Sequence, residues 1–253
     1  MRIGLVSDIH GNLAALEAVL ADATPRRVDR WIDLGDLLYG PLDPLGTYER
    51  LRALDADHLC GNQDRDLFDA DAAAFARNPT LRFDCETLGH ARLEWLRSLP
   101  ATLSFGEVFA CHGTPTNDLV YLLEDIESGD SRVRDEAEIR RLLDGIDAPL
   151  VLCGHTHIPR AVRLSNGQLI VNPGSVGVPA YDDDLPFPHR MQNHSPDASY
   201  AIVERGPRGW KVEHMRVPYD FDAAARIAES RGRSDWAGWL RTGRADLPAP
   251  SPR

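Results

Sequence analysis

The sequence predicts an α/β fold built on mixed β-sheets. Two observations carry that prediction. Through the first half, short apolar runs alternate with amphipathic helical stretches, the pattern of strand-helix-strand units. After residue 158 the pattern changes to two hairpin signals, which add antiparallel strands to an otherwise parallel arrangement.

Taken in order, RIGLV (2–6) reads as a buried strand. In NLAALEAVLAD (12–22), Leu13, Leu16, Val19 and Leu20 form one helical stripe, with Asn12 placed to cap it. RWIDLG and LDADHLC continue the alternation, and residues 65 to 98 read as helical up to the stop at SLP. EVFACHG (107–113) and PLVLCGHTH (149–157) are strand-like runs ending in Gly or His, separated by the amphipathic helix DEAEIRRLLDGI. Asn166-Gly167 within AVRLSNGQLIV, and Gly206 to Gly209 within YAIVERGPRGWKVEHM, mark the two hairpins. YDDDLPFPHRMQNHSP (181–196) reads as a Pro-rich surface loop, with a cover over a site as the alternative, and its Asp182 to Asp184 as a solvated face. One domain is expected over residues 1–243, followed by a loose tail over 244–253.

At 253 residues and 43% hydrophobic content the chain can bury a substantial core. No stretch approaches eighteen consecutive apolar residues, and the run in MRIGLVSD is cut short by Asp8, so a cytoplasmic protein without a membrane span is expected. Cys60, Cys85, Cys111 and Cys153 contain no C-x-x-C pair and read as reduced thiols. The net charge is −11 and Lys211 is the single lysine, a balance that disfavours long duplex nucleic acid as a partner. The sequence sets no oligomeric state.

The residues that close the apolar runs are more specific. IGLV leads to Asp8 and His10, WIDL to Asp36, HLC to Asn62, VFAC to His112, and LVLCG to His155 and His157. Each alone reads as a solvated turn or a core histidine. Together they are oxygen and imidazole donors at the same structural punctuation, and strands ending on one side of a sheet bring such groups together. Two Asp, one Asn and four His suit two divalent ions of the Mn, Fe, Co, Ni or Zn type better than Mg or Ca, which prefer oxygen shells.

The blocks D-x-H-G-N (8–12), G-D (35–36), G-N-x-D (61–64), H-G (112–113) and G-H-x-H (154–157), in this order, resemble the calcineurin-like metallophosphoesterase superfamily. NPGSVG (172–177) and VPYDFDAAARIAES (217–230) are similar to its small bacterial phosphodiesterase group. The resemblance implies a four-layer α/β/β/α sandwich of two mixed β-sheets flanked by helices. It implies a first metal held by Asp8, His10, Asp36 and His157, and a second by Asp36, Asn62, His112 and His155, with Asp36 bridging and manganese favoured. Asp36, Asn62, Gln63 and His112 would form the catalytic set, and a metal-bridging hydroxide would attack a small phosphorylated substrate, a phosphodiester in preference to a phosphomonoester. Asn172 and Ser175 would support the ligands.

One departure stands out. Many members carry His after the block-three Asn, where it protonates the leaving oxygen; this chain has Gln63, whose amide is no general acid near neutral pH. The alternatives are a phosphoprotein phosphatase or dinucleoside-polyphosphate hydrolase, weakened by GDLLYGP and GNQD where phosphoprotein phosphatases carry G-D-x-x-D-R-G and G-N-H-E, and a scaffold of the same fold without chemistry. The scaffold has Gln63 as its support and the full ligand set against it. Among the remaining histidines, His58 is expected to be structural, and His189 and His194 are candidates for approaching substrate. Tyr39, after GDLL, is expected to be a packed aromatic, with the site's border as its alternative place.

Overall fold

The run RIGLV becomes the middle strand, Arg2–Val6, of a five-stranded sheet. Arg30–Asp33 and then Ala56–His58 continue it in parallel on one side. On the other side the hairpin of Ala198–Gly206 and Gly209–Val217 adds two antiparallel strands. In a second five-stranded sheet Leu150–Leu152 is central, flanked in parallel by Val108–Cys111 and Leu169–Asn172. Thr102–Phe105 and Arg160–Arg163 close its edges antiparallel. The computed structural model describes residues 1–246.

Side chains alternate between the two faces of a strand, and that alternation builds the layers. Ile3, Leu5, Ile32 and Leu34 from the first sheet share one buried cluster with Val108, Ala110, Leu150, Leu152 and Val171 from the second, so the two inner faces pack together. Fully burying a side chain such as Leu5 or Ile32 contributes about 2 kcal/mol. On the outer face of the first sheet, Val6 and Tyr200 pack with Leu16 and Val19 of the helix Leu13–Ala23 and with Ala225 of the helix Phe221–Ser230. Val151 and Ile170 on the outer face of the second sheet meet Ile139 of the helix Glu136–Leu142. The result is the helix, sheet, sheet, helix sandwich.

Asn12 caps the first helix as its position predicts, its side-chain oxygen accepting the N–H of Ala15 at 3.2 Å. The helical reading of 65–98 needs division. Helices occupy Asn62–Asp69, Ala72–Arg77 and Pro79–Arg97, the last broken at Gly89 where φ is 67°, and Asp71 and Asn78 each turn their side chains to cap a new start. Segment 181–196 is corrected more substantially: Ala180–Asp183 and His189–Gln192 pair as antiparallel strands. Ala245, within the expected loose tail, is buried and donates its N–H to Gln192. The remainder of that tail, from residue 247, lies outside the described residues. No helix among the described residues is long and apolar enough to cross a membrane.

Candidate metal centre

Arg2–Val6, Arg30–Asp33 and Ala56–His58 run parallel, and so do Val108–Cys111 and Leu150–Leu152. Their C-terminal ends therefore deliver Asp8 and His10, Asp36, Asn62, His112, and His155 and His157 to the carboxyl edges of the two packed sheets. Asp8, His10 and His157 form one cluster whose ligand atoms all lie within 4.8 Å of one another, and Asp36, His112 and His155 form a second. The Asn62 carboxamide joins the second, its Oδ1 3.0 Å from His112 Nε2.

Backbone conformation marks the same residues. Asp8, His10, Asp36, His155 and His157 all adopt φ between 52° and 68°, the left-handed region that side-chain-bearing residues seldom occupy. Turning the chain this sharply at the strand end aims each side chain back over the sheet edge, and the cost is the kind of local strain that accumulates at functional sites. Gly61 meets a different demand. A Cβ there would collide with Asp36 Oδ1 and with the Asp36 backbone nitrogen, so only glycine lets the two loops touch.

Hydrogen bonds orient the ligand atoms. His10 Nδ1 lies 3.0 Å from the Tyr39 carbonyl, His112 Nδ1 2.8 Å from that of Leu34, and His157 Nδ1 2.7 Å from that of Val178. A carbonyl only accepts, so each Nδ1 carries the hydrogen and each Nε2 is left facing the site. The carboxylates follow the same logic. Asp8 Oδ2 accepts the N–H of His155 at 3.2 Å, and Asp36 Oδ1 that of Gln63 at 2.8 Å. Their other oxygens face imidazoles: Asp8 Oδ1 lies 3.4 Å from His157 Nε2, and Asp36 Oδ2 lies 3.4 Å from His112 Nε2.

These residues fit a pair of cations. His10 Nε2 and His157 Nε2 point at each other across 3.1 Å while both Nδ1 atoms are engaged elsewhere, so two lone pairs converge on one point. Asp8 Oδ1 and His155 Nε2 are buried without a hydrogen-bond partner. Buried polar atoms are seldom left in that state, and a cation shared by such atoms satisfies them.

Charge states agree. Burial works against an ionised Asp8, but the His157 imidazole outweighs it and the carboxyl stays below its usual range. Asp36 is likewise held low, burial being overcome by His112 and then by His10 and His155. Burial and the neighbouring His157 push His10 down to about 4, and burial and His112 do the same to His155. His112 is raised to about 10, because Asp36 and Asp8 together outweigh its burial. Ionised carboxylates and neutral imidazoles are the forms that bind metal, so a cation taken up at His112 displaces a proton there.

The surroundings come from further along the chain. A cavity of about 200 Å³ opens over His10, Asp36, Asn62, His155 and His157, with Gln63 and Tyr39 on its wall. Tyr121, Tyr181, Arg233 and Trp236 complete it, and none of these four carries a local sequence signal. Asp182 and Asp183 line the same cavity, so the expected solvated face is partly a site wall. His189 is buried and bonds to the Tyr121 hydroxyl, and His58 pairs with Asp33; neither lines the cavity. Asn172 donates to the Gly154 carbonyl and Ser175 to that of Asp8, bracing both ligand loops.

Asp64, the last residue of G-N-x-D, is fully buried and ties two of those loops together. Its carboxyl accepts the N–H groups of Leu37 at 2.9 Å, Leu38 at 3.4 Å and Gly61 at 3.1 Å. Removing it in Asp64→Ala leaves three amides without an acceptor, at roughly 1 kcal/mol or more each. The expected outcome is a fall in Tm of roughly 5–10 °C for the metal-free protein. A Tm unchanged by the substitution would show that water replaces the carboxyl at no cost.

Comparison with known proteins gives the same picture. An uncharacterized protein of Methanocaldococcus jannaschii is 25% identical over 260 residues, spanning 93% of this chain and 95% of that one. The crystal structure of a metallophosphoesterase from Sphaerobacter thermophilus is 28% identical and superposes with a TM-score of 0.76, covering 96% of this chain and 100% of that one. The model of the calcineurin-like phosphoesterase superfamily domain matches residues 1–189, a span that includes every residue of both donor clusters. The chain therefore belongs to the calcineurin-like phosphoesterase superfamily.

Proposed function

We propose that this protein is a cytoplasmic, dinuclear-metal phosphoesterase of one domain, with manganese its favoured metal and phosphodiesters its favoured substrates. The carrying observation is the pair of donor clusters, in which Asp8 Oδ1 and His155 Nε2 are buried without a hydrogen-bond partner. Asp8, His10, Asp36 and His157 would hold one ion, and Asp36, Asn62, His112 and His155 the other. Asp36 is the bridging candidate by the family resemblance, and its carboxylate, 3.4 Å from His112 Nε2, belongs to the second donor cluster. Two divalent ions against two carboxylates leave a local charge of about +2 to attract an anion, and when bound they supply Lewis acidity and a water of lowered pKa.

The chain's own residues do the remainder. The backbone N–H of Gln63 fixes Asp36, and left-handed turns hold Asp8, His10, His155 and His157 before any substrate arrives. Such preorganisation spares the site rearrangement during the reaction. The Gln63 carboxamide, on the cavity wall, can donate a hydrogen bond to a phosphoryl oxygen but no proton to a leaving group. The reading therefore favours esters whose leaving groups depart without protonation. Retention of all seven donors, five of them in strained left-handed conformations, supports an enzyme over a scaffold, because a scaffold gains nothing from that strain.

The test is to strip the protein with chelator, restore Mn²⁺, and compare bis-p-nitrophenyl phosphate with p-nitrophenyl phosphate. Metal-dependent turnover with a higher kcat/KM on the diester is expected. Stronger monoester cleavage would replace the phosphodiesterase reading with a phosphatase, and bound metal without turnover of either would favour the scaffold.

A further inference from the structure

A second cavity, of about 610 Å³, adjoins the first, and the two share Asn62, Tyr121, His155 and Asp183 on their walls. Its character is different. Leu119, Leu185 and Phe187 line it although each is exposed, at 58%, 70% and 46%. Val120, Ile126 and Pro186 extend the apolar surface. Apolar side chains gathered in a concave surface beside a reactive centre are the usual makings of a ligand subsite.

Charge narrows the occupant. Asp125, Glu127, Glu138 and Asp183 stand around the cavity, with Arg134 the single arginine or lysine on its wall among the described residues. Both terminal nitrogens of Arg134 are committed, Nη2 to the Tyr121 and Glu124 carbonyls and Nη1 to Glu138 at 2.8 Å. A second phosphoryl group would meet carboxylates without a free counter-charge, and an uncharged group meets no such penalty. Position decides which part of a substrate enters. Gln63, at the position where relatives serve the leaving group, lines the first cavity but not the second. The second cavity opens instead past Asn62 and His155, which it shares with the first, and does not reach Gln63.

We propose that this cavity is a specificity subsite for an uncharged aromatic or bulky apolar group, the retained ester group of a phosphodiester, which deepens the phosphodiesterase reading and rests on it. The test compares phenyl p-nitrophenyl phosphate with methyl p-nitrophenyl phosphate, which share a leaving group and differ in the retained one. The parent protein, loaded with Mn²⁺, is expected to favour the phenyl ester by about tenfold or more in kcat/KM. In Leu119→Ser/Phe187→Ser the preference should fall to within about threefold, with the methyl ester changed less than about twofold. Both residues are exposed, so the fold should tolerate the exchange, and Leu185→Ser gives a second, independent variant.

Fluorescence of the neutral probe N-phenyl-1-naphthylamine on metal-free protein reads the cavity without turnover. Enhancement in the parent and its loss in the double variant support the subsite. An undiminished phenyl preference in both variants, or equal probe binding by parent and variants, would overturn it. If neither ester is hydrolysed with any metal, the phosphoesterase reading falls and the assignment to a retained ester group falls with it, whereas the probe still reports whether the apolar cavity binds an aromatic group.

Discussion

Asp36→Asn is expected to reduce metal-dependent ester hydrolysis by at least about 10³-fold, because it alters the carboxylate of the second donor cluster that is proposed to bridge the two ions. The carboxylate is buried, with one oxygen held by the Gln63 N–H at 2.8 Å and the other 3.4 Å from His112 Nε2. An amide of the same shape keeps one acceptor and turns the other position into a donor. Either its NH₂ group opposes the Gln63 N–H, or it points to where a cation is expected. Removal of the negative charge also takes away what holds His112 up at about 10, so that group falls towards the imidazole range.

Two measurements check this expectation. Turnover of bis-p-nitrophenyl phosphate with restored Mn²⁺ should vanish against the parent. The rise in Tm on adding Mn²⁺, about 2.7 kcal/mol of stabilisation at a hundredfold excess over Kd, should shrink as affinity is lost. Retention of activity within tenfold would show that Asp36 does not bridge metals.

Gln63→His is expected to raise the turnover of diesters with alkyl leaving groups by about 10²-fold, the lower range of what a positioned general acid contributes. Esters of p-nitrophenol should change by less than about threefold, since their leaving group departs without a proton. The substitution keeps the bond that matters structurally, because Asp36 is held by the backbone N–H of residue 63 and any side chain leaves that in place. A pH signature accompanies the gain. A general acid must be protonated to act, so the variant's kcat for alkyl esters should decline as pH rises through the new imidazole's pKa, a limb the parent lacks. Absence of any gain on alkyl esters would mean that proton donation by residue 63 does not limit this enzyme.

Much of the fold and of the candidate site was legible because it is written in local chain chemistry. The continuous run RIGLV gives a strand buried on both faces, with Ile3 and Leu5 turned to one core and Val6 to the other, as the pleat requires. Leu16, Val19 and Leu20 mark a helical face in the same way. The seven donors could be found because each closes an apolar run, and parallel strands bring such endings to one edge. Local rules failed where the competing signal was also local. Pro186, Pro188 and three consecutive aspartates suggest a loop, yet Ala180–Asp183 pairs with His189–Gln192, since pairing depends on a partner strand and not on composition.

Tertiary structure alone decided how the donors are aimed and what surrounds them. No sequence pattern announces that five of the seven lie in the left-handed region, or that the hydrogens on three imidazoles go to the carbonyls of Leu34, Tyr39 and Val178. The cavity walls are the clearest case. Tyr121, Tyr181, Arg233 and Trp236 reach the site from two loops, the strand Ala180–Asp183 and the last helix, outside the donor motifs, and Leu119, Leu185 and Phe187 shape the neighbouring cavity. The physical reason is one of range: periodicity and capping act over a few residues, whereas a cavity wall exists only after distant segments have packed. The sequence by itself therefore determined the class of chemistry, and packing decided which substrate the chemistry can meet.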